Sequence, residues 1–204
     1  EVPELKDGLV EIKSLARFPG DLTKVAVFSH NEKIDPVGTC IGDKALRIKN
    51  MSKELGGEKI EIIEWHPDPA RYILNSLSPA RAGKVILNEN EKEAVVLVSD
   101  EQLYLAIGKR GQNVRLASKL TGWNIKVFRY SEYARGEKLL PGLLPGLDEK
   151  VAAALTESGY SSLQQLAAAR PEELEKVPGL TPEKAAALIA DAAAYLSQLQ
   201  GENR

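Results

Sequence analysis

Two cations stand between a pair of glycines at Gly108-Lys109-Arg110-Gly111. The wider stretch, Ile107-Gly108-Lys109-Arg110-Gly111-Gln112-Asn113-Val114-Arg115, has an apolar-periodic segment on either side. Its chemistry is anion capture. Glycines lack a Cβ, so another backbone can come close to them. The N–H groups that open a following helix point outward and carry partial positive charge. Lys109 and Arg110 add two full charges. Gln112, Asn113 and Arg115 follow within the next turn and complete the candidate set with Gly108 and Gly111. The guest that fits such a turn is an anionic polymer backbone.

The turn needs a helix on each side to hold it. Asp100 is placed to cap a first helix, Glu101 to Ile107, because an Asp side chain accepts orphan N–H bonds at a helix start. A second helix, Gly111 to about Leu120, carries Val114, Ala117 and Leu120 at helical spacing. Upstream, Val85-Ile86-Leu87 and Ala94 to Val98 read as strands around the polar turn Asn88 to Glu91. Downstream, Trp123 to Phe128 alternates as a strand. Asp68-Pro69-Ala70 opens a helix through about Ser76, with Asp at the cap and Pro in the first turn. The order helix, strand, strand, helix, turn, helix, strand resembles the prokaryotic type (type II) of KH domain. The Gly-x-x-Gly loop of such a domain clamps four backbone nucleotides of RNA. In such domains bases lie over an apolar groove, so Ile107, Val114 and Ile125 are core candidates that also border the site.

The same order occurs once before. A shift of 66 residues lays Ile41-Gly42 on Ile107-Gly108, Lys44 on Arg110, Ile48 on Val114, Lys49 on Arg115 and Ser52-Lys53 on Ser118-Lys119. Strands are expected at Leu9 to Ala16, Thr23 to Phe28 and Lys59 to Trp65. A short helix is expected at Pro36 to Ile41 and a longer one from about Leu46 to Leu55, ended by Gly56-Gly57. Residues 1–7 read as the remnant of a preceding element. In this copy Ala45 replaces the second glycine and Asp43 replaces a cation. A carboxylate repels phosphates, and a methyl group crowds their approach. RNA contact through this turn is therefore expected to be weaker and to fall on Gly42, Lys44, Arg47 and Lys49. Two prolines stiffen the connection Trp65 to Pro69, so the two units should form one rigid body. Trp65 and Trp123 read as core or interface anchors.

From Ser131 to Lys138 the chain is polar and reads as a linker. Beyond it Ala, Leu and Glu dominate, all strong helix formers. Helices are expected at Asp148 to Ser158, Ser162 to Ala168, a short one from Pro171, and Thr181 to about Leu199. Pro145-Gly146-Leu147 and Pro178-Gly179-Leu180 lie 33 residues apart, each before a Lys and an Ala-rich helix. This resembles a tandem helix-hairpin-helix domain. The expected class is α+β: KH units at 1–66 and 67–132, a linker at 133–138, and a small all-α helix-hairpin-helix domain at 139–204.

Charge separates these parts. The chain carries −2 overall, but residues 1–135 hold 21 Lys and Arg against 19 Asp and Glu, while residues 136–204 hold 6 against 10. A nucleic-acid face on the first part must be a local patch. The net −4 of the last part favours a protein contact over DNA there. No run of about 18 apolar residues offers a membrane span. One cysteine, Cys40, gives no disulfide framework and suits a reducing, cytoplasmic setting. His30, His66 and Cys40 are scattered, so no zinc site is expected. There is no Gly-x-x-x-x-Gly-Lys-Ser/Thr phosphate loop, and no nucleophile–base pair or separated carboxylate set. No enzyme and no cofactor is expected.

The passages Asp35-Pro36-Val37-Gly38, Gly57-Glu58-Lys59-Ile60, Leu77-Ser78-Pro79-Ala80-Arg81 and Leu105 through Trp123 resemble the NusA family of bacterial transcription elongation and termination factors. The resemblance covers nearly the whole chain. It implies single-stranded nascent RNA and RNA polymerase as partners, and a role in pausing, termination and antitermination. It also implies a polymerase-binding N-terminal domain and an S1 domain before this segment; the start at Glu1 rather than Met fits a piece of a longer chain. A monomer is expected. The other reading that the turn leaves open is a ribosome-associated or RNA-processing KH protein without a polymerase role.

Overall fold

The computed structural model describes residues 1–134, 136, 138, 139 and 141–202. The first unit runs α1 (Pro3–Lys6), β1 (Glu11–Phe18), β2 (Leu22–Phe28), α2 (Pro36–Ile41), α3 (Leu46–Glu54) and β3 (Lys59–Glu64). The second runs α4 (Pro69–Ser76), β4 (Ala82–Asn88), β5 (Glu93–Val98), α5 (Leu103–Ile107), α6 (Gln112–Thr121) and β6 (Asn124–Arg129). The rest is α7 (Tyr130–Ala134), α8 (Glu149–Glu157), α9 (Leu163–Ala167), α10 (Pro171–Leu174) and α11 (Pro182–Glu202). Each unit has a three-stranded sheet in sequence order, with the first pair antiparallel and the second parallel. Side chains that accept the orphan amides set four of the helix starts: Asp35, Asp68, Asp148 and Ser162.

Strand alternation assigns each sheet two partners. In β2, Val25 and Val27 face the first unit's own helices, with Val10, Cys40, Val2 and Leu5. Ala26 faces the other way, with Ala16 and Ile63, onto Tyr72 of α4 and Leu116 and Leu120 of α6. In β5, Ala94, Val96 and Val98 pack under α4, α5 and α6 with Leu77, Ala117, Trp123 and Ile125. Val95 and Leu97 point to the opposite face, against Leu143, Leu147, Leu155 and Leu166 of the C-terminal helices. The molecule is thus a stack of five layers: helices, sheet, helices, sheet, helices. α6 lies at its middle and is apolar on two sides, which its alternation of Val114 and Ala117 with Leu116 and Leu120 makes possible. Burying each of those leucines stabilises the stack by roughly 2 kcal/mol.

Polar bonds lock the first two units together. Ser14 Oγ lies 2.8 Å from Tyr72 Oη and donates to the Leu120 carbonyl at 2.8 Å. Lys24 is fully buried; its Nζ donates to Glu61 at 2.6 Å and to the Ser78 carbonyl at 2.7 Å. Burial pushes the Lys24 amine down, and Glu61 opposes that shift. Gln112 Nε2 donates to Asp21 across the units at 2.8 Å. Trp65 stacks edge-on to Phe28 and tilts toward Tyr72, and Trp123 is buried in the second core. Both tryptophans are anchors. Within the first unit, Glu58 is buried. It accepts from Arg17, Gly20 N and Thr23 Oγ1, and the Arg17 guanidinium above all lowers its carboxyl to about 2. Burial raises the Cys40 thiol, so that side chain behaves as a small apolar group.

Three expectations change. Within residues 1–7 lies α1, and Val2 at its cap and Leu5 inside it pack against the first core. Asp100 does not cap α5: Gln102 holds that position without a side-chain bond, and Asp100 accepts from Ser131 instead. The stretch read as a polar linker begins as α7, and Tyr133 is buried with its ring edge-on to Tyr195. Its Arg135 and Glu137, and Leu140 beyond it, lie outside the described residues. The C-terminal helices therefore sit directly on the second sheet. Lys126 joins them to it, 2.6 Å from Glu149 and 3.2 Å from Glu93. Burial and the neighbouring Glu149 push the Glu93 carboxyl up. Among the described residues no helix is long and apolar enough to cross a membrane.

Candidate nucleic-acid interface

The second turn is a single 3-10 turn, Lys109–Gly111, between α5 and α6. Gly108 has φ 74° and ψ 172°, a region essentially closed to residues with a Cβ. Space forbids one as well: it would lie 2.8 Å from Asn113 N and 2.7 Å from Asn113 Cβ. Gly111, at φ 72°, is left-handed and has only Arg115 Nε within 4 Å of where its Cβ would be. Gly108 thus closes the turn, and Gly111 leaves its outer side open for a polymer to approach.

Lys109, Arg110 and Arg115 are exposed, and none of their side chains makes a hydrogen bond or ion pair among the described residues. α6 starts at this turn without a side-chain cap, unlike α2, α4, α8 and α9. Its positive end therefore has no side-chain acceptor of its own. Ile107 and Val114 are half-buried, and Ile125 is buried in the second core. The acidic C-terminal helices occupy the far face of the second sheet and do not cover the turn.

Two expected contacts turn inward. Asn113 is 4% exposed, and its Nδ2 donates to the carbonyls of Leu77, Leu105 and Ala106 at 2.9 to 3.1 Å. Its side chain ties α5 to α6 and fixes the turn rather than reaching a ligand. Its place in α6 explains this, since Asn113 shares the buried face with Leu116, Ala117 and Leu120. Gln112 is half-buried and held by Asp21, so it braces the turn from the side.

The first turn keeps the same backbone path without the second glycine. Gly42 has φ 76° and ψ 170°, Lys44 φ 48° and ψ 27°, and Ala45 φ 60° and ψ 30°. The matching Arg110 has φ 53° and ψ 26°. What differs is chemistry. Arg47, at the position of Asn113, donates to Glu4 at 2.9 Å and to the Thr39 carbonyl at 2.8 Å. Its charge is already neutralised by α1, so it does not join the free cations. Lys44 and Lys49 remain exposed, with Lys49 Nζ 3.3 Å from the Lys44 carbonyl. Ala45 pays a left-handed penalty of about 1 kcal/mol or more, partly balanced by the extra unfolded-state freedom a glycine would bring. Ala45→Gly should therefore raise stability by roughly 0.5–1 kcal/mol, read as a higher midpoint in urea at unchanged slope.

In the C-terminal domain, residues 142–148 share a cleft with Leu87 to Asn90 at the β4–β5 turn. The first Pro-Gly hairpin is thus set against the second sheet. Pro178 and Gly179 of the other hairpin are exposed.

The fold and its turns define a class: tandem type II KH units with a helix-hairpin-helix domain behind the second sheet. Residues 1–65 match the model of a NusA-like first KH domain, residues 69–135 that of a NusA-like second KH domain, and residues 141–194 that of a SAM-like helix-hairpin-helix tandem. The transcription termination/antitermination protein NusA of Rickettsia prowazekii is 40% identical over 196 residues, which is 91% of this chain and 39% of the relative. Those of Halalkalibacterium halodurans and Thermus thermophilus are 54% identical over 132 residues and 56% over 125. They cover 65% and 61% of this chain and 35% and 32% of their own lengths. The chain belongs to the NusA family, and it spans less than two-fifths of the length of these relatives.

Proposed function

We propose that this chain is the RNA-holding part of a transcription termination and antitermination factor. It clamps single-stranded RNA, with little regard to sequence, mainly through the second KH turn. The observation that carries this is the open Gly108–Gly111 turn, with three unpaired cations beside the uncapped start of α6. Phosphates bound there gain charge-assisted hydrogen bonds and need no rearrangement of the protein. The first turn, with Lys44 and Lys49 but also Asp43, adds a weaker second contact. The two turns are on one rigid body, so an RNA that reaches both avoids most of a second ordering penalty.

RNA polymerase is the partner that the family's role in termination calls for, in the cytoplasm. The acidic C-terminal domain serves it or another protein through the exposed Pro178-Gly179 side. The chain acts by binding as a monomer and catalyses nothing.

Fluorescence anisotropy with a short unstructured RNA, repeated across salt concentrations, tests the clamp. About three neutralised phosphates give a slope of log K against log salt of roughly −2. A slope near zero, or no binding at low salt, contradicts it.

A further inference from the structure

The surface beside the second turn holds a group that phosphate binding does not use. Tyr104, in α5, is 78% exposed, the most open of the large apolar side chains among the described residues. Its ring makes no hydrogen bond, ring contact or cation contact among the described residues. Leu105 next to it is 48% exposed. A single exposed aromatic is ordinary on a protein surface; its position is what matters.

Tyr104 lies one helical turn before Gly108, whose N–H donates to the Tyr104 carbonyl at 2.9 Å. Four residues of helix advance about 6 Å. Helical Cβ atoms lean toward the N-terminus, so the ring extends away from the turn along α5. It stands on the helix that leads directly into the cations at Lys109 and Arg110. A cationic cradle with an aromatic face beside it is how proteins hold single strands without reading sequence: charge tracks the backbone and the ring takes a base.

The first unit supplies a comparison within the same chain. The 66-residue shift places Gly38 where Tyr104 stands. A Cβ at Gly38 would meet Asp35 Oδ2 at 2.3 Å, so a side chain there would displace the Asp35 carboxylate. The ring belongs to the second unit alone, the one with the intact turn.

We infer that Tyr104 is a base-stacking platform for the nucleotide next to the phosphates held at Gly108–Gly111. This rests on the RNA-clamp assignment and adds a base contact to it. A base on the ring explains why the exposed side of this short helix carries an uncovered aromatic group.

The test uses the full chain and a fluorescent single-stranded RNA of about eight nucleotides, with abasic sites moved one position at a time. Tyr104→Ala should lower affinity roughly tenfold, in line with stacking energies of about 1–3 kcal/mol per base. Tyr104→Phe should stay within about twofold of the parent, because it keeps the ring. The salt slope should not change, since no phosphate contact is lost. One abasic position should weaken the parent chain by a similar factor and Tyr104→Ala hardly at all. The exposed ring holds up no core, so circular dichroism should be the same for all three proteins.

The inference is overturned if Tyr104→Ala binds as the parent does, or if every abasic position weakens both proteins equally. Unchanged RNA affinity with weaker capture of purified RNA polymerase would overturn it in favour of a protein contact. These outcomes leave the clamp standing as long as Lys109→Asp with Arg110→Asp still destroys binding. A parent chain that binds no RNA ends both.

Discussion

Reversing both charges of the second turn, Lys109→Asp with Arg110→Asp, abolishes most RNA binding and leaves the far-ultraviolet circular dichroism unchanged. Each lost hydrogen bond to a charged group removes about 1.5–3 kcal/mol, so two together lower affinity by at least about a hundredfold, before repulsion is counted. Folding survives because both side chains are exposed and unpaired among the described residues. Arg110 has positive φ, and Asp tolerates the left-handed region better than most residues. The same pair of substitutions flattens the salt dependence, because the phosphates that released counterions are no longer held. A folded double variant with parental affinity would place the RNA elsewhere.

The second large effect is on the turn's own shape. Gly108→Ala forces a Cβ into a backbone conformation that L residues avoid and into the Asn113 backbone. Strain of about 1–3 kcal/mol adds to the clash. The neighbour is main chain at the start of α6, the middle layer of the stack, so it cannot yield cheaply. We expect a loss of roughly 3 kcal/mol or more, read from urea unfolding, with RNA affinity falling at the same time. Gly122→Ala is the control. Gly122 also has positive φ, 75°, but nothing lies within 4 Å of its Cβ position. It should lose only about 1 kcal/mol and keep RNA binding. Equal losses at both glycines would mean that crowding at Gly108 contributes nothing.

The elements around the turn could be read from the chain because their signals are local. Asp35, Asp68, Asp148 and Ser162 cap the helices they precede, and the unbroken apolar run Ala94 to Val98 marks a strand buried on both faces. Residue type alone marks Asn113 and Arg47 as RNA contacts, whereas their places in the fold give both side chains partners within the protein. The spacing 113, 116, 117, 120 already put Asn113 on the buried face of α6. For Arg47 no local signal exists: its partner, Glu4, lies on α1, 43 residues before it. Nor could composition reveal the five-layer stack. Lys24 reaches a carbonyl at Ser78, in the other unit, and only the folded chain brings them together. The polar residues Ser131 and Glu132 hid α7, where Tyr133 turns inward to the C-terminal core.

Backbone amide shifts during titration with a short single-stranded RNA test the central claim most directly. The clamp predicts that the largest changes fall between residues 108 and 115, smaller ones between 42 and 49, and none along α8 to α11. Saturating RNA that leaves the amides of 108 to 115 where they were, while others move, would contradict it.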